Sequence, residues 1–330
     1  MSIDLRQHVI AVDLGGTNIR AALCDQEGRI LKRHKQLTLA EEGPEAVINR
    51  IVDSIQHVMP EAGTAAVKAV AAACPGPLDP FIGVVMYAPN LPGWIDIPLR
   101  DILRQRLGLP VAIGNDANLA ALGEQRYGAG RGMKDLVYVT ISTGIGGGVI
   151  LNNQLVLGMR GLAAEIGHTT LDIHADWTHA GVPGSFEGYA SGTGIARLAH
   201  HKLRAQLHAQ QERGAPLSRM VELAGGDIDA VTAKEVGEAA RCNDPLALEI
   251  IAEVARIIGL GFVNLLHLYD PAIIVVGGSV SLMGDLLFEP VRRTVQQYAM
   301  LPYRDRPIVP AALGDDCGLL GAAALAFDLA

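Results

Sequence analysis

The chain has 330 residues, 49% hydrophobic and 19% charged, with a formal net charge of −8. That is enough apolar material for two ordinary domains, and too little charge for long disordered tails. The acidic balance, with no lysine- or arginine-rich run, argues against a nucleic-acid surface, but not against a nucleotide, which backbone amides and a metal can hold.

His8 to Leu14, Ile19 to Cys24 and Arg29 to Lys35 read as three strands joined by the turn Gly15-Gly16-Thr17 and the turn Asp25 to Gly28. A helix near Pro44 to Met59 follows, with Val47, Ile48, Ile51, Val52, Ile55 and Val58 on one apolar face. Ala66 to Ala73 is a buried strand, Pro75-Gly76-Pro77 breaks the chain, and the strand Val111 to Gly114 ends at Asn115-Asp116, where a helix to Tyr127 begins. The opening pattern then returns as Leu136 to Ile141, a turn Ser142 to Gly147, Gly148 to Leu151, Asn152-Asn153, and Gln154 to Leu157. Because a crossover unit follows both copies, we read an internal duplication: an α/β fold with one phosphate turn per half. Asn152 to Asn243 is an insertion with several helices, in which Gln206 to Pro216 reads as a surface loop. A long buried helix, Pro245 to Leu268, delivers the strand Ala272 to Val276 and the turn Gly277-Gly278. Asp316 to Leu329 is a C-terminal helix expected to pack back on the first domain.

Cys24, Cys74, Cys242 and Cys317 are far apart and read as reduced thiols of a cytoplasmic protein. No signal peptide is visible. The longest apolar run, Ile250 to Tyr269, is interrupted by Glu253, Arg256, Asn264 and His267, so no membrane span is expected.

Four motifs carry the chemistry. Asp13 ends an apolar strand at a glycine turn, where a carboxylate can hold a Mg²⁺-bound water and Gly15, Gly16 and Thr17 can present donors to phosphate; a plain Asx turn is the alternative. Thr143, Gly144 and the glycines through Gly148 repeat the arrangement, and the pair together reads as two phosphate turns. Gly277-Gly278 is a third glycine turn, able to accept a flat ring. Asn115-Asp116 can cap the helix it begins, and it also stands where α/β sheets bind ligands. Phosphoryl transfer needs a group to take the hydroxyl proton, and Asp116 is the best candidate. Asn90 and Trp94, with Glu165, His168 and Glu187, add amides and acids without matching cations, a set that suits a polyhydroxyl ligand.

In these motifs the chain resembles the ROK family of bacterial glucokinases, other hexose and N-acetylhexosamine kinases, and sugar-responsive repressors. The resemblance rests on Asp13-Leu14-Gly15-Gly16-Thr17, Asn90 with Trp94, Asn115-Asp116, the run to Gly148, Glu165-Ile166-Gly167-His168, Glu187 before Tyr189-Ala190-Ser191-Gly192, and Val276-Gly277-Gly278. It implies an actin-like, hexokinase-type duplicated fold whose two domains flank a cleft holding ATP and Mg²⁺. We expect residues 1–116 with 314–330 as the small domain and 117–313 as the large one. It further implies Asp116 as catalytic base and Asn90, Asn115, Glu165, His168 and Glu187 as sugar ligands. Nucleotide contacts are expected from Asp13, Gly15, Gly16, Thr17, Thr143, Gly144, Gly277 and Gly278. The implied reaction is ATP-dependent phosphorylation of a hexose at its 6-hydroxyl, with glucose first; the alternatives are a kinase for another hexose or N-acetylhexosamine and, behind it, a non-catalytic sugar-sensing protein of the family. A homodimer is expected. A repressor of the family would carry an added helix-turn-helix domain, for which the reading finds no room before the first strand.

One departure stands out. The family places three cysteines between the histidine of Glu-x-Gly-His and the second glutamate, and they bind a structural zinc with that histidine. Here those positions are Thr178, Ala180 and Ser185. Thr, Ala and Ser cannot build a thiolate site, so no structural zinc is expected and His168 becomes a sugar ligand or a hydrogen-bonding partner. A nitrogen and oxygen site of His168, His174, Asp176 and His179 is the rival. Without zinc the loop needs apolar anchors, for which Trp177, Pro183 and Phe186 are the candidates.

Overall fold

The structure, a computed structural model, describes residues 7–61, 66–175, 178–179, 181–213 and 217–330, with the side chains of 178–179 and 208–213 left aside. The first half runs β1 (Gln7–Leu14), β2 (Asn18–Cys24), β3 (Ile30–Leu37), α1 (Pro44–Val58) and β4 (Ala66–Cys74). A small sheet of β5 (Leu78–Asp79), β6 (Val84–Tyr87) and β7 (Ile95–Ile97) comes next, then α2 (Leu99–Leu107), β8 (Val111–Asn115) and α3 (Asp116–Tyr127). The second half opens with β9 (Leu136–Ile141), β10 (Ile145–Leu151) and β11 (Gln154–Leu155). Its insertion carries a hairpin, β12 (Thr178–His179) and β13 (Val182–Pro183), and the helices α4 (Phe186–Ala190), α5 (Gly192–Arg213), α6 (Arg219–Leu223) and α7 (Ala233–Arg241). The chain closes with α8 (Pro245–Tyr269), β14 (Ile273–Gly277), α9 (Asp285–Tyr298), β15 (Ile308–Pro310) and α10 (Cys317–Leu329).

The two five-stranded sheets have orders β3-β2-β1-β4-β8 and β11-β10-β9-β14-β15. Each is the third, second, first, fourth and fifth strand of its own half, once the inserted small strands are set aside. This repeated order is the expected duplication, and the fold is of the actin-like, hexokinase type. In the first sheet β1 and β2, and β2 and β3, pair antiparallel, while β4 and β8 continue in parallel. α1 starts with Pro44 at its first turn and buries Val47, Ile48, Ile51, Ile55 and Val58, the i, i+3, i+4 stripe of an amphipathic helix.

The contacts group the chain into two compact units. One is Met1–Tyr138 with Gly148–Ala164 and Ala311–Ala330; the other is Val139–Gly147 with Glu165–Pro310. The sequence reading divides the chain after residues 116 and 313, whereas the first unit keeps α3 together with α10. The two helices approach closely: a Cβ on Gly123 would lie 2.6 Å from the Cys317 carbonyl oxygen, and one on Gly321 only 1.7 Å from that of Leu119. α10 also packs on β1 and β4, as expected of the C-terminal helix.

Two local expectations change. α5 runs on to Arg213, so most of the supposed loop Gln206 to Pro216 is helical, and 214–216 lie outside the described residues. The second glycine turn is only Ser142 to Gly144, since β10 already begins at Ile145. Among the described residues, no helix is long and apolar enough to cross a membrane.

Candidate functional site

In the first unit, Asp13 stands directly opposite Arg20 in the antiparallel register of β1 and β2. Arg20 donates to Asp13 Oδ2 through Nε at 2.9 Å and through a second guanidinium nitrogen. Burial works against the Arg20 charge, but Asp13, with Asp316 and Asp315 behind it, outweighs that and the guanidinium pKa is raised. Both of these bonds land on Oδ2. Oδ1 faces the start of α10, 3.7 Å from where a Cβ on Gly318 would sit.

The turn after Asp13 is narrower in function than expected. The Gly15 amide donates to the Asn18 carbonyl at 2.9 Å, and the Gly15 carbonyl accepts from Thr38 Oγ1 at 2.7 Å, so Gly15 is used within the protein. Thr17 is the exposed member of the turn, and Gly16 is half-buried. A Cβ on Gly16 would lie 3.0 Å from that of Asn90, so the turn and the predicted sugar residue are neighbours. Trp94 is buried beneath this loop rather than offered to a ligand.

Asn115 caps α3. Its Oδ1 accepts from the amides of Ala117 at 3.0 Å and Asn118 at 3.3 Å, and its Nδ2 donates to the Gly76 carbonyl at 3.2 Å. The next carboxylate, Asp116, is exposed, and its Oδ1 accepts from Ala117 N–H at 2.8 Å. Capping thus falls to Asn115 and leaves Asp116 presented at the strand end. Asp116 and Asp13 meet electrostatically at Cys74, whose thiol is pushed up by burial first and by these two carboxylates second.

In the second unit, the glycine turns after β9 and β14 lie side by side. Ser142 Oγ is 3.2 Å from Ser279 Oγ, and Gly278, at φ +85°, would drive a Cβ to 2.3 Å from the Ile141 carbonyl oxygen. Only glycine fits there. The start of α5 is tied to the first of these turns: Gly192 N–H donates to the Ser142 carbonyl at 2.7 Å and Thr193 Oγ1 to that of Thr143 at 2.9 Å.

Glu187 belongs to the same turn. Ser185 caps α4 through the Gly188 amide at 3.1 Å, Phe186 is buried, and Glu187 follows in the first helical turn. Its Oε2 accepts from Ile145 N–H at 2.7 Å and would lie 2.4 Å from a Cβ on Gly144. Arg197 donates to the Gly188 carbonyl from behind. Tyr189 donates to Asp172 Oδ2 at 2.5 Å, and its hydroxyl pKa is pushed up to about 12, by burial first and then by that carboxylate.

Glu165 and His168 share one 3-10 turn, both substantially exposed, with Nε2 4.0 Å from Oε2. Among the described residues, no three His, Cys, Asp or Glu side chains gather as a metal ligand set. Asp176, Trp177 and Ala180 lie outside the described residues, as do the side chains of Thr178 and His179. Ser185, at the third cysteine position, is a buried helix cap, so that position has structural work of its own. Of the proposed loop anchors Phe186 is buried, whereas Pro183 is exposed because its strand β13 lies in a two-stranded hairpin at the surface.

The sequence reading missed Arg20, Ser279 and Thr193. Arg20 was findable, since a tight turn after Asp13 sets the two residues across a hairpin. Ser279 and Thr193 leave no sequence signal, because their partners come from distant segments.

The ROK family model matches residues 9–328. The glucokinase of Thermotoga maritima is 36% identical over 96% of this chain and 96% of its own length. That of Streptomyces coelicolor is 37% identical over 96% of each. The crystal structure of a ROK family glucokinase from Streptomyces griseus in complex with glucose and AMPPNP aligns with a TM-score of 0.78 at 36% identity, covering 97% of this chain and 99% of that one. The match reaches from the first strand to the last helix and includes both glycine-turn halves, so this chain belongs to the ROK family.

Proposed function

We propose that this protein transfers the γ-phosphoryl group of ATP to the 6-hydroxyl of glucose. The observation that carries the reading is the whole-length likeness to a glucokinase holding glucose and AMPPNP, at 36% identity. The local geometry supports it. Asp116 is an exposed carboxylate at the end of β8 and the start of α3, the place where a base for the sugar hydroxyl is needed. As the sugar oxygen bonds to the γ-phosphorus, the bond to the β,γ-bridging oxygen breaks, ADP leaves, and the hydroxyl proton passes to Asp116. Gly16, Thr17, Thr143 and Gly144 hold the phosphates, and Gly277-Gly278 borders the adenosine. Asn90, Asn115, Glu165, His168 and Glu187 orient the sugar. Asn115 does so with the amide hydrogen not given to Gly76.

The residues present fit a magnesium ion: Asp13 Oδ1 and Asp116 are carboxylate oxygens, the hard donors it takes. When bound with ATP it neutralises phosphate charge. They do not fit a thiolate zinc, and no step is assigned to one. A cytoplasmic homodimer belongs to the same reading, supported by the family and by the free thiols. An ADP-release assay with Mg-ATP over a panel of hexoses and N-acetylhexosamines tests it. Turnover with glucose is expected to exceed that with mannose, fructose, allose and N-acetylmannosamine; absence of sugar-dependent ADP overturns the reading.

A further inference from the structure

Glu187 sets a carboxylate against the Ser142-to-Ile145 turn, which the kinase reading assigns to phosphate. Its Oε2 accepts from Ile145 N–H at 2.7 Å and fills the space that a Gly144 side chain would occupy. The position is built rather than accidental. Ser185 caps the helix that carries Glu187, Phe186 beneath it packs where a Cβ on Gly261 would come within 2.7 Å, and Arg197 fixes the Gly188 carbonyl. Two effects then oppose each other. The backbone amides after β9 attract phosphate. A carboxylate a few ångströms away repels it, and in a partly desolvated site that repulsion is weakly screened. Glu187 also takes one of those amides, the one at Ile145, for itself. A sugar hydroxyl donating to the same carboxylate would draw its charge away from the turn.

We propose that Glu187 couples the two substrates: without sugar its carboxylate holds down nucleotide affinity at the Ser142-to-Ile145 turn, and a bound sugar releases that restraint. The inference rests on the kinase reading above. The coupling is reciprocal, so nucleotide raises sugar affinity by the same factor. It keeps ATP from settling in the site while only water could accept the phosphoryl group.

Calorimetric titration of the whole chain with AMPPNP and Mg²⁺, with and without saturating glucose, tests it. The wild type is expected to bind the analogue at least about fivefold tighter with glucose present. Glu187→Gln keeps an acceptor for Ile145 N–H and removes the charge; without sugar it is expected to bind the analogue about fivefold tighter than the wild type does. Glu187→Ala should gain in the same direction. A gain cannot come from misfolding, and the sugar-free comparison does not depend on whether the variants still bind glucose. Sugar-independent binding by the wild type, or variants no tighter than the wild type without sugar, overturns the coupling alone. No analogue binding at all overturns the coupling and the kinase reading together.

Discussion

Glu124 accepts a hydrogen bond from the backbone N–H of Leu313 at 2.8 Å, across 189 positions of sequence. The same carboxylate takes Ala312 N–H at 3.1 Å and Ala129 N–H at 2.8 Å, and the residue is fully buried. One side chain on α3 therefore serves three backbone amides, two of them in the segment leading to α10. A buried charge is tolerated when this many donors face it.

Glu124→Ala leaves those three amides without their acceptor. A fully buried unmet donor costs about 1–3 kcal/mol, and because Ala129 and Leu313 are half-buried and Ala312 exposed, water recovers part of it. We expect a loss of about 2–4 kcal/mol in urea unfolding, the cost of partly rehydrated donors that have lost a charged acceptor. A change below about 0.5 kcal/mol would show the contact to be incidental.

Asp116→Asn retains an oxygen for Ala117 N–H and leaves the Asn115 cap untouched. Turnover should fall about 10²–10⁴-fold, the usual worth of a general base, with the melting temperature unchanged. Asn115→Ala behaves differently. It removes a helix cap and should cost about 0.5–2 kcal/mol of stability in addition to any effect on sugar binding. Near-normal turnover in Asp116→Asn would remove it from the chemistry.

His34 and His57 stack with ring centroids 4.2 Å apart and planes 12° from parallel, and His34 Nδ1 is buried with no hydrogen-bond partner among the described residues. Burial, then the neighbouring His57, lowers the His34 pKa below its ordinary value of about 6.5. The folded protein thus binds this proton less readily than the unfolded chain does. The stability from a neutral His34 is complete above about pH 6.5 and is lost as the pH falls toward the lowered folded value. Melting temperatures between about pH 7.5 and 5.5 should drop more steeply for the wild type than for His34→Phe. Equal slopes would place the acid sensitivity elsewhere.

Metal analysis of protein purified without a histidine tag should find far less than one zinc per chain. Activity should survive chelation while excess Mg²⁺ is present. The reasoning is that Ser185 is a buried helix cap where a thiolate would be needed. One zinc per chain, lost together with activity, would instead favour a histidine and aspartate site.

Much of the fold was legible because its signals are local. The alanines and valines of β4, the proline that opens α1 and the glycines that close β1, β9 and β14 each act within a few residues. Periodicity and turn chemistry therefore place the elements nearly to the residue. The likeness of the two opening hairpins announced the duplication before the strand orders displayed it. The helical course of 206–213 was not legible, since a polar stretch reads alike in a loop and on an exposed helix face.

The strand-and-turn grammar, the family and the cast of acids and amides are written in the residues, because they depend on residue types at short spacing. How that cast is used is written in the packing. Gly15 turns out to be spent on Asn18 and Thr38 while Gly16 meets Asn90; Asp13 is gripped by Arg20; Glu187 lies under Gly144; and Glu124 holds the segment before α10. Such pairings follow from packing between segments far apart in the chain. A carboxylate's neighbours, and therefore its work, are set by which distant backbone closes over it.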